Sequence, residues 1–214
     1  MFTGIVEEIG VVARVQRTGK GYDLTIRAKK VLEGTQLGDS IAVNGTCLTV
    51  THLASDRFNV GLAPETRSRT NLVHLRDGQR ANLERSLTPT SRMGGHFVQG
   101  HIDGVGTVTA FRPDEDALWV TTTAPDELMR HIVPKGFIAL DGVSLTVVDV
   151  IDNSFTVTLV AYTQQHITLP EQHVGYKVNI EVDVLGKYVE KTISHRLSGQ
   201  GDISPEFLAR HGYA

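Results

Sequence analysis

The sequence predicts an all-β protein, built as two tandem homologous β-barrels with short helices and closed by a C-terminal amphipathic α-helix. Three observations carry that expectation. The 214-residue chain repeats itself about 97 residues apart: Gly38-Asp-Ser-Ile-Ala-Val-Asn-Gly-Thr-Cys-Leu-Thr-Val50 returns as Lys135-Gly-Phe-Ile-Ala-Leu-Asp-Gly-Val-Ser-Leu-Thr-Val147. Short β-branched runs (Gly10 to Val15, Asp23 to Arg27, Phe155 to Val160) alternate faces and end in Gly, Asn or Asp, as strands do. At the same place in both repeats stands a two-residue hairpin signal, Asn44-Gly45 and Asp141-Gly142, flanked by alternating apolar residues.

The register of the repeat holds along the chain. Thr66 and Leu72 fall on Thr163 and Leu169, and Gly78 to Glu84 falls on Gly175 to Glu181. Near the two starts the offset slips by one, so that Gly4 to Val12 matches Gly100 to Val108. A repeat this long is a whole domain rather than a solenoid unit. On the strand leaving each hairpin, Cys47 and Thr49 share one face and Leu48 and Val50 the other; Ser144 and Thr146 repeat this opposite Leu145 and Val147. One face is core and one is polar, and closing each half into a barrel protects its strand edges. Short helices are expected near Thr70 to Leu75 and Pro125 to His131. Thr88-Pro-Thr-Ser-Arg-Met-Gly-Gly95 is rich in turn formers and reads as a linker. The expected organisation is therefore 1–96, 97–184 and a helical segment 185–214. In that last segment Leu185, Val189, Ile193 and Leu197 make one apolar stripe, read as an oligomer seam rather than a face packed on its own barrel. Ser204-Pro205 supplies a second helix start and Gly212 a stop.

Composition excludes several classes. Hydrophobic residues make up 40% and charged residues 21%, which suits a folded chain with two small cores. A net charge of −3 without a Lys/Arg run argues against nucleic acid. No stretch reaches the length of a membrane span, and the N-terminus lacks signal-peptide regions, so the expected location is cytoplasmic. A single cysteine, Cys47, excludes an intrachain disulfide, and no Cys/His cluster has zinc spacing. Gly199-Gln-Gly201 follows a helix rather than a strand and lacks the third glycine of a dinucleotide fingerprint.

Four motifs in order, Met1-Phe-Thr-Gly-Ile-Val6, Asn44-Gly-Thr-Cys-Leu-Thr-Val50, Gly94-Gly-His-Phe-Val-Gln-Gly-His101 and Lys135 to Val147, resemble those of the riboflavin synthases. The resemblance runs from the first residue to the C-terminal helix. It implies six-stranded Greek-key barrels, homotrimers tied by C-terminal helices, and no cofactor or metal. It also implies an activity: two molecules of 6,7-dimethyl-8-ribityllumazine exchange a four-carbon unit and give riboflavin and 5-amino-6-ribitylaminopyrimidinedione, at a site where the N-barrel of one subunit faces the C-barrel of its neighbour. A duplicated domain suits a reaction between like molecules, since holding two reactants together is worth about 7–11 kcal/mol of barrier.

A symmetric pair of sites binds two lumazines but does not assign donor and acceptor roles, so the differences between repeats matter. Ser40 is matched by Phe137, Cys47 by Ser144 and Ile5 by His101. The acidic bond is at the C7 methyl of one lumazine, while the other must be made electrophilic by addition at its C7. His101 is suited to proton transfer at neutral pH, and Thr146 can orient it or a bound group. Cys47 can add covalently or activate water, with Ser40 as partner or substitute. A lone cysteine in a β-protein is most often a small core residue, but Cys47 shares its face with Thr49. His96 lies five residues before His101, an odd spacing that puts the two on opposite faces of a strand, and it is read as structural.

The remaining contacts are those the resemblance implies. The first half supplies Gly4, Ile5 and Val6, then Leu48 and Thr49 beside Cys47, and the run Gly61, Leu62, Ala63, Pro64, Glu65 and Thr66. The second supplies Ile102, Asp103 and Lys135, Leu145 with Ser144, and the run Thr158, Leu159, Val160, Ala161, Tyr162 and Thr163; hydroxyls at Thr66 and Thr163 suit a ribityl chain. The chief rival reading is a non-catalytic antenna or carrier that holds lumazine or flavin, a class that lacks the reactive side chains Ser40, Cys47, His101 and Thr146. A flavin-barrel reductase would add a nucleotide-binding α/β domain, for which there is no segment.

Overall fold

The computed structural model describes residues 1–18, 21–199 and 209–212. The first barrel contains β1 (Glu8–Thr18), β2 (Gly21–Arg27), β3 (Ser40–Val43), β4 (Thr46–Leu53), β5 (Arg57–Gly61) and β6 (Arg80–Arg85). The second contains β7 (Gly104–Asp114), β8 (Ala117–Thr123), β9 (Phe137–Leu140), β10 (Val143–Ile151), β11 (Ser154–Leu159) and β12 (Lys177–Val182). Each closes in the same order: β1-β2-β5-β4-β3-β6 in the first, and β7-β8-β11-β10-β9-β12 in the second. Every pairing is antiparallel. The chain thus forms the two barrels that the repeat predicts, each with the six strands that the family resemblance implies, and closure leaves neither sheet with a bare edge.

Local chemistry explains the repetition. Asn44 and Gly45 have φ of 44° and 78°, and Asp141 and Gly142 have the same two values, the left-handed pair that a two-residue turn needs. Bulges recur at matched places, between Val12 and Arg14 and between Val108 and Ala110, and again between Val50 and His52 and between Val147 and Asp149. Strict alternation sets the faces of β4 and β10: Leu48, Val50, Leu145 and Val147 are buried in their barrel cores, while Cys47 and Ser144 are partly buried and Thr49 and Thr146 exposed.

The last strand of each barrel is buried on both faces. On β6, Ala81 and Leu83 enter the core while Asn82 and Glu84 point the other way; β12 does the same with Val178 and Ile180 against Asn179 and Glu181. Those outward polar residues build the seam between barrels. Asn82 Nδ2 donates to the Asp141 carbonyl at 3.0 Å, and Asn179 Nδ2 to the Asn44 carbonyl at 2.9 Å. Asn82 Oδ1 accepts from Thr168 N and Asn179 Oδ1 from Asn71 N, at 2.9 and 2.7 Å. The two hairpin glycines meet at the centre, where a Cβ on Gly142 would lie 2.6 Å from the Gly45 backbone. Asp141 departs from the symmetry, since Asn44 stands in its place in the first barrel. Burial pushes its carboxyl up to about 7, against bonds from Asn179 N, Tyr176 OH and Asn71 Nδ2 that favour the ionised form.

Helices cap the barrels. A single α2 turn, Asp126–Met129, and a 3-10 turn at Asn71–His74 fall where the sequence predicts helix. Two more, α1 (Pro64–Arg69) and α3 (Ala161–His166), were not expected and begin inside the runs 61–66 and 158–163. The chain divides into compact units Met1–Asp183 and Val184–Ala214. In the second unit α4 spans Val184–Gly199, with Leu185, Tyr188, Val189 and Ile193 each more than half exposed. The side chain of Leu197 and the pair Ser204-Pro205 lie outside the described residues; Gly212 sits at φ 81°, just after a helical turn at Ala209 and Arg210.

Candidate active site

The segments that lead into the two barrels cross over. Gly4 (φ 76°) places its carbonyl 2.7 Å from Ser144 N on the second barrel, and Gly100 (φ 81°) places its carbonyl 2.8 Å from Cys47 N on the first. A Cβ on Gly4 would lie 2.6 Å from Ser144 Cβ, and one on Gly100 2.6 Å from Cys47 Cβ, so only glycine allows the approach. Phe2 and Val98 pair between the arms and pack with Ala42, Ala139 and Cys47. Val6 packs against the core of the second barrel. Each barrel's polar strand face therefore receives the leading arm of the opposite repeat.

Two sites of one design result. The first gathers Cys47 and Thr49 of β4, Ser40 of β3 in register with Thr49, and the Gly100-His101 arm. His101 is exposed and directly follows the Gly100 carbonyl that is anchored on Cys47 N, so residues of opposite repeats are tied together here within one chain. Ser40 also opens on a groove of about 700 Å³ lined by Thr3, Ile5, Glu7, Glu84 and Gly94. The second site gathers Ser144 and Thr146 of β10, Phe137 in register with Thr146, and the Gly4-Ile5 arm, with Ile5 half exposed. Within the chain Thr146 lies on the strand that receives the Gly4 arm, whereas His101 follows the Gly100 carbonyl bound by Cys47 N.

His96, read from the sequence as structural, enters the second site. Its Nδ1 lies 2.7 Å from Ser144 Oγ, its ring stacks on Phe137 at 5.1 Å and 9°, and its Nε2 has no protein partner. Burial lowers its pKa, with Asp183 opposing, so the ring is neutral at neutral pH and able to exchange a proton with the Ser144 hydroxyl. The strand premise of the odd-spacing argument does not hold, since 96 to 101 is no continuous strand and only Val98 makes a β-bridge there, but the two histidines still reach different barrels. No short signal could have linked His96 to a serine 48 residues away.

The other expected contacts divide by exposure. Leu48, Leu62, Leu145 and Leu159 are core residues, so a ligand would meet them through their backbone. Asp103 spends one carboxylate oxygen on Val182 N at 2.9 Å. Lys135 is exposed at φ 65° where the chain turns toward β9, its N–H on the Val147 carbonyl. Gly61, Ala63, Pro64 and Glu65 are exposed with Thr66 partly buried at the start of α1; Val160 and Tyr162 are exposed, and Thr158, Ala161 and Thr163 partly buried, at the matching place before and within α3. Ile102 is partly buried. A further cleft of about 420 Å³ is lined by Asn71, His74, Arg80, His173, Tyr176 and Lys177, away from every residue expected at the site. Among the described residues, no group of three or more His, Cys, Asp or Glu side chains could hold a metal ion.

Comparison with known proteins agrees with the division into two like barrels. The lumazine binding domain family matches twice, over residues 3–86 and 99–183, one copy per barrel. The riboflavin synthase of Actinobacillus pleuropneumoniae is 41% identical over 215 residues, covering 100% of both chains, and that of Schizosaccharomyces pombe is 46% identical over 200 residues, covering 92% of this chain and 96% of the relative. The crystal structure of LumP complexed with riboflavin superposes with a TM-score of 0.80 at 27% identity, covering 85% of this chain and 99% of LumP. Two lumazine binding domains in one chain, and full-length likeness to riboflavin synthases, place the chain in the riboflavin synthase family.

Proposed function

We propose that the chain is a riboflavin synthase that dismutates two molecules of 6,7-dimethyl-8-ribityllumazine into riboflavin and 5-amino-6-ribitylaminopyrimidinedione without a redox cofactor. The observation that carries this is the pair of sites with one backbone design and unlike side chains: Ser40, Cys47 and His101 in one, Phe137, Ser144 and His96 in the other. Equivalent cradles suit two copies of one ligand, and unequal chemistry separates their roles. The residues near Cys47 make one lumazine electrophilic by addition at C7, through the thiol, Ser40 or water, and a neighbouring imidazole moves the proton of the other lumazine's C7 methyl. Proximity and proton transfer are the chief aids, with the ring systems supplying the carbanion stabilisation.

The exposed stripe Leu185, Tyr188, Val189 and Ile193 supports assembly into a homotrimer through α4, which would bring the first site of one copy against the second of its neighbour. The residue spans 1–96, 97–184 and 185–214 are the organisation this requires, and a cytoplasmic setting suits small soluble substrates. No described helix is long and apolar enough to cross a membrane.

A carrier or antenna role is the second reading, favoured by the likeness to LumP, whose structures hold 6,7-dimethyl-8-ribityllumazine, riboflavin and flavin mononucleotide. Mixing the protein with 6,7-dimethyl-8-ribityllumazine alone and following products by chromatography separates the two. Equimolar riboflavin and pyrimidinedione are expected; tight binding of unchanged lumazine would make the chain a carrier.

A further inference from the structure

Two buried carboxylates stand where the arms cross. Glu181, 1% exposed on β12, accepts the Gln99 N–H at Oε1 (2.6 Å) and the N–H groups of Gly100 and His101 at Oε2 (2.9 and 3.1 Å). Glu84, 6% exposed on β6, accepts Thr3 N and Thr3 Oγ1 at Oε1 (2.7 and 2.8 Å) and Gly4 N at Oε2 (3.0 Å). The same arms then give their glycine carbonyls to Cys47 N and Ser144 N of the opposite barrels. Each arm is therefore gripped on its donor side by the last strand of its own barrel and on its acceptor side by the strand that carries the reactive residue of the other.

The grip extends past His101, as it does past Ile5, where Glu7 gives its N–H to the Leu83 carbonyl and accepts Arg85 N. The His101 N–H lies on Glu181, and two residues later Asp103 closes a second clasp, giving its N–H to the Ile180 carbonyl and accepting Val182 N at Oδ2, both at 2.9 Å. The imidazole thus hangs from a peptide whose three preceding and local N–H groups are fixed by one charged acceptor, and charge-assisted bonds of this kind are both short and stiff. Only a carboxylate offers acceptors on both oxygens; an amide at 181 would turn an NH₂ toward at least one buried N–H.

We propose that Glu181 is a positioning residue for the reaction: by binding the N–H groups of Gln99, Gly100 and His101 it sets the His101 imidazole against Cys47, and Glu84 sets Ile5 against Ser144 in the same way. The proposal rests on the synthase reading. Neither carboxylate touches the reacting atoms, and each acts through the arm it holds.

A double-mutant cycle tests it, with Glu181→Gln and His101→Ala assayed singly and together for turnover of 6,7-dimethyl-8-ribityllumazine. Because misplacing a catalytic group by about 1 Å costs on the order of 100-fold, Glu181→Gln should lower kcat by on the order of 10- to 100-fold with little change in lumazine affinity. In the His101→Ala background that loss should vanish. Hydrogen exchange at the amides of Gln99 to His101 should quicken in Glu181→Gln. Losses that multiply in the double variant, or a Glu181→Gln enzyme as active as wild type, would overturn the positioning role. Should Glu181→Gln fail to fold, Glu181→Asp, which keeps the charge but withdraws it by one methylene, is read in the same cycle with the same two outcomes. A wild type without turnover overturns the synthase reading itself and the role of Glu181 with it, an outcome distinct from an active wild type whose losses multiply.

Discussion

The two barrels share strand order, turn geometry, bulges and the crossing of their arms, yet where the arm meets the polar strand face they differ at nearly every side chain. The first presents Ser40, Cys47 and His101; the second presents Phe137, Ser144, Ile5 and the buried His96. Under the proposed reaction the shared backbone devices would fix where a ring lies, and the unlike side chains would separate donor from acceptor. The same contrast runs through the seam, where Asn82 and Asn179 make matching bonds but Asn44 faces an acid, Asp141.

If catalysis needs the unlike sites of two copies, removing the residues after Gly186 should have the largest effect. The truncated chain is expected to run as a monomer on sizing and to lose nearly all turnover; a fully active monomer would show that the two sites serve one chain alone. Next is the chemistry of the first site. His101→Ala should lower kcat by about 100-fold, the usual worth of a general acid or base. Cys47→Ser, which makes the first site resemble the second, should lower kcat by roughly 10-fold while binding is kept, because a hydroxyl is far less ionised than a thiol. Equal turnover in Cys47→Ser and in the core change Leu48→Val would return Cys47 to a packing role.

The seam offers smaller effects. Gly142→Ala sets a Cβ 2.6 Å from Gly45 at a φ of 78°, and should cost about 3 kcal/mol in denaturant unfolding, from about 1–2 for the left-handed backbone and about 1–3 for overpacking. Gly78→Ala, also at positive φ but with nothing within 4 Å, should cost less, which isolates the contact term.

Asp141→Asn makes the seam symmetric and tests the acid. The folded chain keeps that proton up to about pH 7, whereas unfolded it leaves near 3.8. The folded state binds the extra proton between those values, so the associated stability is complete below 3.8 and is lost as pH rises toward 7, at up to about 1.4 kcal/mol per pH unit. Relative to Asp141→Asn, the wild type should therefore lose melting temperature across that window and hold level above it; parallel curves would mean that the buried acid is ionised throughout.

Much of this was legible before any coordinates. Asn44-Gly45 and Asp141-Gly142 announced their turns because a positive φ at two successive residues is a local demand that few residues meet, and Cys47 and Ser144 announced their polar face because side chains alternate along a strand. The helices α1 and α3 were missed because six residues give too little periodicity to read. Glu84 and Glu181 did carry a signal, an acid repeated on the same strand face as Asn82 and Asn179, but nothing in the run told which groups it would bind.

By itself the sequence determined where the barrels turn and which strand faces are wet, from spacing within a dozen residues, and that there are two barrels with unlike reactive side chains, from comparing one repeat with the other. Tertiary structure alone decided that the arms cross, that His96 meets Ser144, and that one carboxylate holds the peptide before His101. Those contacts join residues 48 to 140 positions apart, and a chain fixes such pairs only when closed barrels leave their last strands and leading arms a single seam to share.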